Sequence, residues 1–196
     1  MESKLLIKRR EAIILATIDT IDECGVQAVS TKEIAKKQGV SERIIFKHFP
    51  TKNDLFIAVL DYFTKYDDAI VQTVERKKMQ PIEGIMYFID SYATYYENYP
   101  AITAITQSFD ALRCNPLLEG KVKCIFESKQ TFMKVQIERA KEQRTITTEM
   151  DAEDLSNVIF GTFMRICLKW RIYNYNFPLR ETTLSTIQSI LQSFHI

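Results

Sequence analysis

Residues 30–52, STKEIAKKQGVSERIIFKHFPTK, constrain the fold more than any other part of the chain. Ser30 and Glu33 have the spacing of a capping box, which predicts that a helix begins there. Gly39 can adopt the left-handed backbone conformation that ends a helix sharply. Ser41 is then a favourable N-cap for a second short helix. The stretch therefore predicts two short helices joined by a tight turn.

The spacing within this hairpin is that of a helix-turn-helix. Such a motif needs a small residue where its helices touch, a permissive residue at the turn and a large apolar residue on the second helix. Ala35, Gly39 and Ile45 occupy these places. The second helix of a helix-turn-helix enters the DNA major groove. A plain helical hairpin inside a core fits the same spacing, so the hairpin alone leaves both interpretations open.

A longer match favours the first interpretation, because residues 10–55 resemble the N-terminal domain of the TetR family of transcriptional regulators. The family pattern IA-x-x-x-G-V-S-x-G-x-L-Y-x-H-F-x-x-K corresponds to IAKKQGVSERIIFKHFPTK here. Arg43 replaces a Gly, Ala or Pro of the family, Ile44 replaces a Thr or Ser, and Phe46 replaces a Tyr whose hydroxyl could bind phosphate. The matching residues are Arg10, Ile13, Ile14, Ala16, Gly25, Ser30, Ile34, Ala35, Gly39, Val40, Ser41, Ile45, Phe46, His48, Phe49, Lys52 and Leu55.

The resemblance implies an all-α homodimer of about nine helices. It implies a helix-turn-helix domain over residues 1–51 and a helical ligand-binding and dimerisation domain over residues 52–196. We expect a cytoplasmic, ligand-responsive repressor that a small molecule releases from a palindromic operator. The charge distribution agrees, since residues 1–53 hold 10 lysines and arginines against 7 aspartates and glutamates. The rival hypothesis is a helical protein-interaction dimer whose N-terminal domain, residues 1–51, no longer binds DNA. We call this domain the head.

The DNA-contacting residues are expected at the starts of the helices and on the exposed side of the second one. Arg43 is the candidate for a base contact, because its guanidinium suits guanine. Glu42 could accept a hydrogen bond from cytosine or pair with a lysine. The remaining candidates are phosphate or groove contacts, which position the protein without specifying sequence; they are Thr31, Lys32, Ser41, Phe46, Lys47, His48 and Lys52.

In the rest of the chain, apolar periodicity predicts long helices. One is expected to run from Thr51 to about Lys78, and another to begin at Pro100. Aromatic residues of these helices can line a pocket or simply form a core. Since no cationic residue stands among the pocket candidates, we expect an uncharged or lipophilic effector. The candidates are Phe63, Tyr92, Tyr96, Phe109, Phe126, Met133, Phe160 and Met164.

The last two helices are expected to form the dimer interface. The helix near residues 158–170 is apolar almost all round, so it must be covered on two sides. A four-helix arrangement with a second copy would cover it, although an intramolecular core without a dimer is the alternative. The interface candidates are Val158, Gly161, Arg165, Leu184, Ile187, Leu191 and Phe194.

Enzymatic motifs are missing from the sequence. It contains no HExxH, GxSxG or P-loop, and no clustered set of Cys and His metal ligands. We therefore expect no catalytic site, metal or cofactor. The four cysteines lie in apolar helical patterns and form no CxxC pair, so they are expected to be buried free thiols. A redox sensor is the alternative, because Cys114 lies near a predicted helix end. No apolar run is long enough to span a bilayer.

Overall fold

The structure is a computed structural model that describes residues 2–194, and the side chains from residue 9 onward. Within this range the chain forms α-helices and two short 3-10 turns, with no strand, which confirms the all-α prediction. The 3-10 turns are Val26–Ala28 and Pro100–Ile102. The α-helices are α1 (Glu2–Cys24), α2 (Thr31–Lys37), α3 (Glu42–His48), α4 (Lys52–Phe63), α5 (Asp67–Arg76), α6 (Pro81–Asn98), α7 (Thr103–Gln107), α8 (Phe109–Arg113), α9 (Pro116–Glu142), α10 (Ala152–Ile172) and α11 (Leu179–Gln192).

These helices form two compact units. Unit 1 comprises Met1–Lys65 and Ala101–Cys124, and unit 2 comprises Tyr66–Pro100 and Ile125–Ile196. Helix α9 contributes its first turns to unit 1 and the remainder to unit 2. The domain boundary expected after residue 51 stays a prediction.

In unit 1, α1 is the central element and packs against α2, α4 and α7. Its apolar stripe is almost fully buried, as are the inward residues of α2 and α3. This packing holds the two short helices, which are too short to be stable in isolation. The buried residues include Ile13, Ile18, Ile34, Ile45 and Phe49.

In unit 2, α6 packs against α5 and α11, and α10 packs against α11. Gly84 permits a close approach in α6. A Cβ at that position would lie 3.0 Å from Val74 Cγ1 and 3.1 Å from the side-chain oxygen of Gln136. The aromatic residues of α6 continue this core, with Phe88 and Tyr96 both buried.

The prediction of a single helix from Thr51 to Lys78 is wrong, because the chain is interrupted between α4 and α5. The Thr64 hydroxyl donates to the Leu60 carbonyl at 3.2 Å, and the Lys65 N–H turns to the Tyr62 carbonyl at 3.4 Å. Thr17 and Thr20 make the same kind of hydroxyl bond inside the continuous helix α1, so the Thr64 bond alone does not end α4. Asp67 then begins a new helix, whose N-terminus favours acidic residues.

The helix expected from Pro100 is also divided. A 3-10 turn precedes α7, and Ser108 separates α7 from α8. The Ser108 hydroxyl donates to the Ala104 carbonyl at 2.8 Å, which again draws a backbone acceptor into a local bond. These two divisions explain why there are more than nine helices.

The expectation that the cysteines are buried is wrong for three of the four. Cys24, Cys114 and Cys124 are exposed free thiols, and only Cys167 is buried. The exposed cysteines lie on the solvent side of their helices or at a helix end, where apolar periodicity is a poor guide to burial.

Substitution of Gly39 by Ala is expected to destabilise the protein by about 1–2 kcal/mol, because Gly39 has φ +61° and an added Cβ disfavours this conformation. Gly120→Ala is the matched control. Gly120 lies in α9 with nothing within 4 Å of an added Cβ, so the change is expected to stabilise the protein by up to about 1 kcal/mol. Urea denaturation measures both. Equal stability of the two variants would contradict the role assigned to the turn.

Candidate functional site

The turn between α2 and α3 closes as a Schellman motif. The Val40 N–H donates to the Ala35 carbonyl at 3.0 Å, and the Gly39 N–H donates to the Lys36 carbonyl at 3.2 Å. Ser30 caps α2 by accepting the Glu33 N–H at 3.1 Å. Because these bonds satisfy the backbone at the turn, the direction in which α3 leaves α2 is fixed by the chain itself.

Burial of Ile45 determines which side of α3 faces solvent. Ile45 is fully buried, while Arg43 and Lys47 are exposed. Phe46 is 46% exposed, which is unusual for an aromatic side chain on so short a helix. Helix α3 therefore presents cationic and apolar groups together on one accessible surface.

Thr31 and Glu42 contact each other, although each was expected to contact DNA. The Thr31 hydroxyl donates a hydrogen bond to the Glu42 carboxylate. This bond joins the first turns of α2 and α3. Glu42 was expected either to contact cytosine or to pair with a lysine. In the structure its partner is Thr31.

Lys52 begins α4, next to a complete capping box. The Thr51 hydroxyl accepts the Asp54 N–H at 3.1 Å, and the Thr51 N–H donates to Asp54 at 2.9 Å. The Lys52 ammonium lies 5.4 Å from the centre of the Phe56 ring and is exposed. The cap holds the backbone of Lys52, while its ammonium remains accessible.

His48 is half-buried at the end of α3, and Arg10 lies 4.9 Å above the neighbouring Phe49 ring. Burial lowers the pKa of His48, and Lys47, Arg10 and Arg9 lower it further. The lowered pKa favours the neutral imidazole, whose N–H can still donate a hydrogen bond. Of the other expected DNA contacts, Lys32 is exposed on α2, and Ser41 is exposed at the N-cap of α3, where its side chain makes no capping hydrogen bond.

The eight expected pocket residues do not form a single group. Phe63 and Phe109 belong to unit 1, where their rings meet edge to face at 5.7 Å. Phe126 is 61% exposed, since it lies on the outer side of α9. The remaining five belong to unit 2 and are buried or half-buried; they are Tyr92, Tyr96, Met133, Phe160 and Met164.

The expected interface residues also differ in where they lie. Val158, Gly161 and Arg165 form an exposed stripe on α10, and an added Cβ at Gly161 would meet nothing within 4 Å. Ile187 and Leu191, in contrast, are buried within unit 2. Leu184 and Phe194 are half-buried. The exposed α10 stripe is the part of this set that is available to a partner.

A cationic residue that the sequence analysis missed lies in unit 2. The Lys129 ammonium is 2.6 Å from Asp67 Oδ2 and 2.6 Å from the Tyr92 hydroxyl. The Tyr92 hydroxyl in turn donates to Asp67 Oδ1 at 2.5 Å. We call these three residues the Lys129 cluster. Asp67 and Lys129 are 62 positions apart in the sequence, so no local pattern indicates their contact.

The Lys129 cluster is unusual because it is charged and yet almost inaccessible to solvent. Only 8% of Lys129 is exposed, and its ammonium also lies 4.0 Å from the centre of the Tyr92 ring. Burial lowers the pKa of Lys129 to about 8, against the opposing attraction of Asp67. Burial, and then Asp67, raise the pKa of Tyr92. Perturbed groups of this kind are candidates for functional sites.

Aromatic residues surround this cluster. Phe88 packs against Tyr92 at 4.7 Å between ring centres and stacks on Phe132 at 4.5 Å. Tyr96 stacks on Phe163 at 5.7 Å. The result is a polar group within an apolar shell, which is the usual composition of a small-molecule site.

Among the described residues, no group of three or more His, Cys, Asp or Glu side chains is arranged to hold a metal ion. No helix within the described range is both long and apolar enough to cross a membrane.

Comparison with protein families identifies the head. Residues 13–59 match the family model described as bacterial regulatory proteins, tetR family. These residues are therefore similar to the N-terminal domain of TetR-family regulators. The chain is also similar to the nucleoid occlusion factor SlmA of Vibrio cholerae, which is 24% identical over 156 residues, covering 79% of this chain and 80% of the relative.

Solved structures agree with this TetR-family fold over nearly the whole chain. The ketosteroid transcriptional regulator KstR2 of Mycobacterium tuberculosis superposes with a TM-score of 0.84 at 15% identity, covering 96% of this chain and 95% of the other. FadR of Bacillus subtilis, solved with stearoyl-CoA, gives 0.78 at 20% identity, covering 94% and 99%. The chain therefore has the all-α fold of these transcriptional regulators.

The lowered pKa of Lys129 predicts a pH-dependent stability. Between about pH 8 and the ordinary lysine value of 10.5, the unfolded chain binds more protons at this position than the folded chain. The free energy of unfolding should therefore rise with pH in this window, by up to about 1.4 kcal/mol per pH unit from this group. Comparing the pH profiles of the wild type and Lys129→Met isolates the effect, and parallel profiles would contradict it.

Proposed function

We propose that this protein is a homodimeric, cytoplasmic TetR-family repressor that binds a palindromic operator and is released by a small lipophilic molecule. The observation that carries the proposal is the surface of α3, where Arg43, Phe46 and Lys47 are exposed while Ile45 is anchored in the core. A rigid short helix with exposed cations suits the major groove.

The division of roles on this surface follows from position. Arg43 lies in the first turn of α3 and carries a planar guanidinium that can bind guanine by two hydrogen bonds. Lys47, His48 and Lys52 lie further along the chain and are assigned to the phosphate backbone, together with Thr31, Lys32 and Ser41. Phe46 offers an apolar contact, such as one with a thymine methyl group.

Two-fold symmetry of the operator requires a dimer, and the α10 stripe is its proposed interface. Val158, Gly161 and Arg165 recur at helical spacing and are exposed. The absence of a side chain at Gly161 leaves room for the partner's backbone. Leu184 and Phe194 can contribute at the edge, whereas Ile187 and Leu191 support the interface from within unit 2.

The proposed effector is lipophilic because the aromatic shell of unit 2 favours apolar ligands. The structure of Bacillus subtilis FadR with stearoyl-CoA supports an acyl chain as the apolar part. A ligand that releases DNA must bind the two conformations of the protein with different affinities. We propose that binding alters the spacing of the two heads in the dimer, so that they no longer match their half-sites.

The test is selection of bound sequences from a random duplex pool at near-physiological salt with purified protein. We expect enrichment of a two-fold symmetric motif. Stearoyl-CoA is then added to the complex as a probe and should release the DNA. Failure of folded, dimeric protein to enrich any motif would contradict the proposal and favour a protein-interaction role for the head.

Substitution of Arg43 by Ala should weaken binding to the selected operator by about 1–3 kcal/mol and relax sequence preference at one base position. The reason is that a bidentate contact with guanine contributes to discrimination between bases. Anisotropy titrations with operators changed one position at a time measure this. An equal loss on every sequence would make Arg43 a phosphate contact.

Substitution of Lys52 by Ala should weaken binding to all sequences alike and reduce the slope of log affinity against log salt by about one, because one phosphate contact is lost. Lys65→Ala is the matched control, since Lys65 is exposed and its ammonium lies over the Tyr62 ring at 3.6 Å. An unchanged slope for Lys52→Ala would remove Lys52 from the DNA interface.

A further inference from the structure

The two charged members of the Lys129 cluster differ in their access to water. The Asp67 side chain is 18% exposed and lies in the first turn of α5, where the helix dipole stabilises a carboxylate. The Lys129 side chain is 10% exposed. Asp67 can therefore turn toward water and remain charged. Lys129 is a donor only, so a group that takes the place of Asp67 must be a hydrogen-bond acceptor.

A groove of about 510 Å³ lies between α5 and α9, the two helices that carry Asp67 and Lys129. Its volume is within the range of small-molecule sites. Phe132 forms part of its wall and stacks on Phe88, so the groove borders the aromatic shell. It is lined by Asp68, Val71, Gln72, Glu75, Ser128, Thr131, Phe132, Val135 and Gln136.

One end of the groove lies at the same level along α5 and α9 as the cluster. Asp68 and Ser128 directly adjoin Asp67 and Lys129 in sequence, while Phe132 and Val135 follow on α9. A ligand lying along α9 would have its apolar chain against Phe132 and its head near the Lys129 ammonium.

We propose that the groove binds the effector as a carboxylate amphiphile, whose head accepts the hydrogen bond that Lys129 donates to Asp67. Two carboxylates next to one buried ammonium repel each other, and Asp67 is the one with access to water. The head therefore displaces Asp67. This inference rests on the proposed function, because it identifies the chemical group by which that function's effector is recognised.

Displacement of Asp67 can affect distant parts of the protein through α9. Lys121, Ile125 and Lys129 recur every four residues on one face of this helix. In unit 1, Lys121 lies 2.5 Å from Asp61 of α4. In unit 2, Lys129 holds Asp67 of α5. Releasing Asp67 frees the first turn of α5 from α9, and we expect operator affinity to fall.

The groove also contains acidic side chains that repel an anionic ligand. Asp68 and Glu75 are both exposed, so salt screens their repulsion effectively. Lys129 is almost buried and its attraction is screened much less. The buried cation is therefore expected to dominate the choice of headgroup at physiological ionic strength.

The experiment compares laurate with 1-dodecanol, which has the same chain length and no charge, by isothermal titration calorimetry. Wild-type protein should bind laurate at least about 10-fold more tightly than dodecanol. Lys129→Met should bind the two alike. Lys134→Met is the matched control on α9, since Lys134 forms a longer and more exposed pair with Glu153 at 3.5 Å, and it should behave as the wild type.

Equal binding of the two ligands by the wild type, no binding of laurate, or unchanged discrimination in Lys129→Met would each overturn the proposal. Tyr92→Phe is the second variant if Lys129→Met does not fold. It retains the ring and the ion pair, and should weaken laurate binding by roughly 3–10-fold through the lost hydroxyl. Unchanged laurate binding in Tyr92→Phe would then overturn the proposal.

The same proteins separate this inference from the proposed function. Headgroup discrimination without an enriched operator would leave the ligand site standing and refute the repressor. An enriched operator without headgroup discrimination would do the reverse. With both present, Lys129→Met should bind the operator at least about 10-fold more weakly than Lys134→Met. Operator affinity equal to that of the control would refute the coupling through α9.

Discussion

Burial of Ile45 is the constraint on which the proposed DNA interface depends. It is fully buried in the middle of a seven-residue helix, so the orientation of α3 about its own axis is set by the core of unit 1. Only then do Arg43 and Lys47 have a defined direction. The Schellman turn at Gly39 fixes the angle between α2 and α3. Together they make the exposed surface of α3 rigid, and rigid positioning of side chains is what specific binding requires.

Unit 2 is built around a second constraint, a buried ion pair within an aromatic shell. Such pairs rarely add stability compared with apolar residues of similar size. Apolar residues of similar size at positions 67 and 129 would therefore be expected to make the folded protein at least as stable. The proposed role in ligand recognition would account for this pair, which joins α9 to α5.

The sequence predicted the head well because its signals are local. The cap at Ser30, the turn at Gly39 and the cap at Thr51 each depend on residues within a few positions of one another. The contacts of the Lys129 cluster could not be predicted, since Asp67 and Lys129 are 62 positions apart in the sequence. Helical periodicity could not show that Phe126 faces solvent or that Ile187 is covered by the protein's own helices.

The interruption of the helix after Phe63 was missed for a related reason. Thr64 is compatible with a helix, and the apolar period continues through Ile70 and Val74, so the pattern favours one long helix. The decisive feature is the start of a new helix at Asp67, with acidic residues in its first turn. The acidic pair of residues 67 and 68 was the available signal, because such pairs favour a helix N-terminus.

The central claim, that α3 enters the major groove as part of a two-fold symmetric dimer, is tested most directly by hydroxyl-radical footprinting. The measurement uses the wild-type protein on a duplex selected from a random pool. The account predicts two protected patches related by two-fold symmetry, centred about one helical turn or more apart. A single patch, or uniform protection along the duplex, would contradict it.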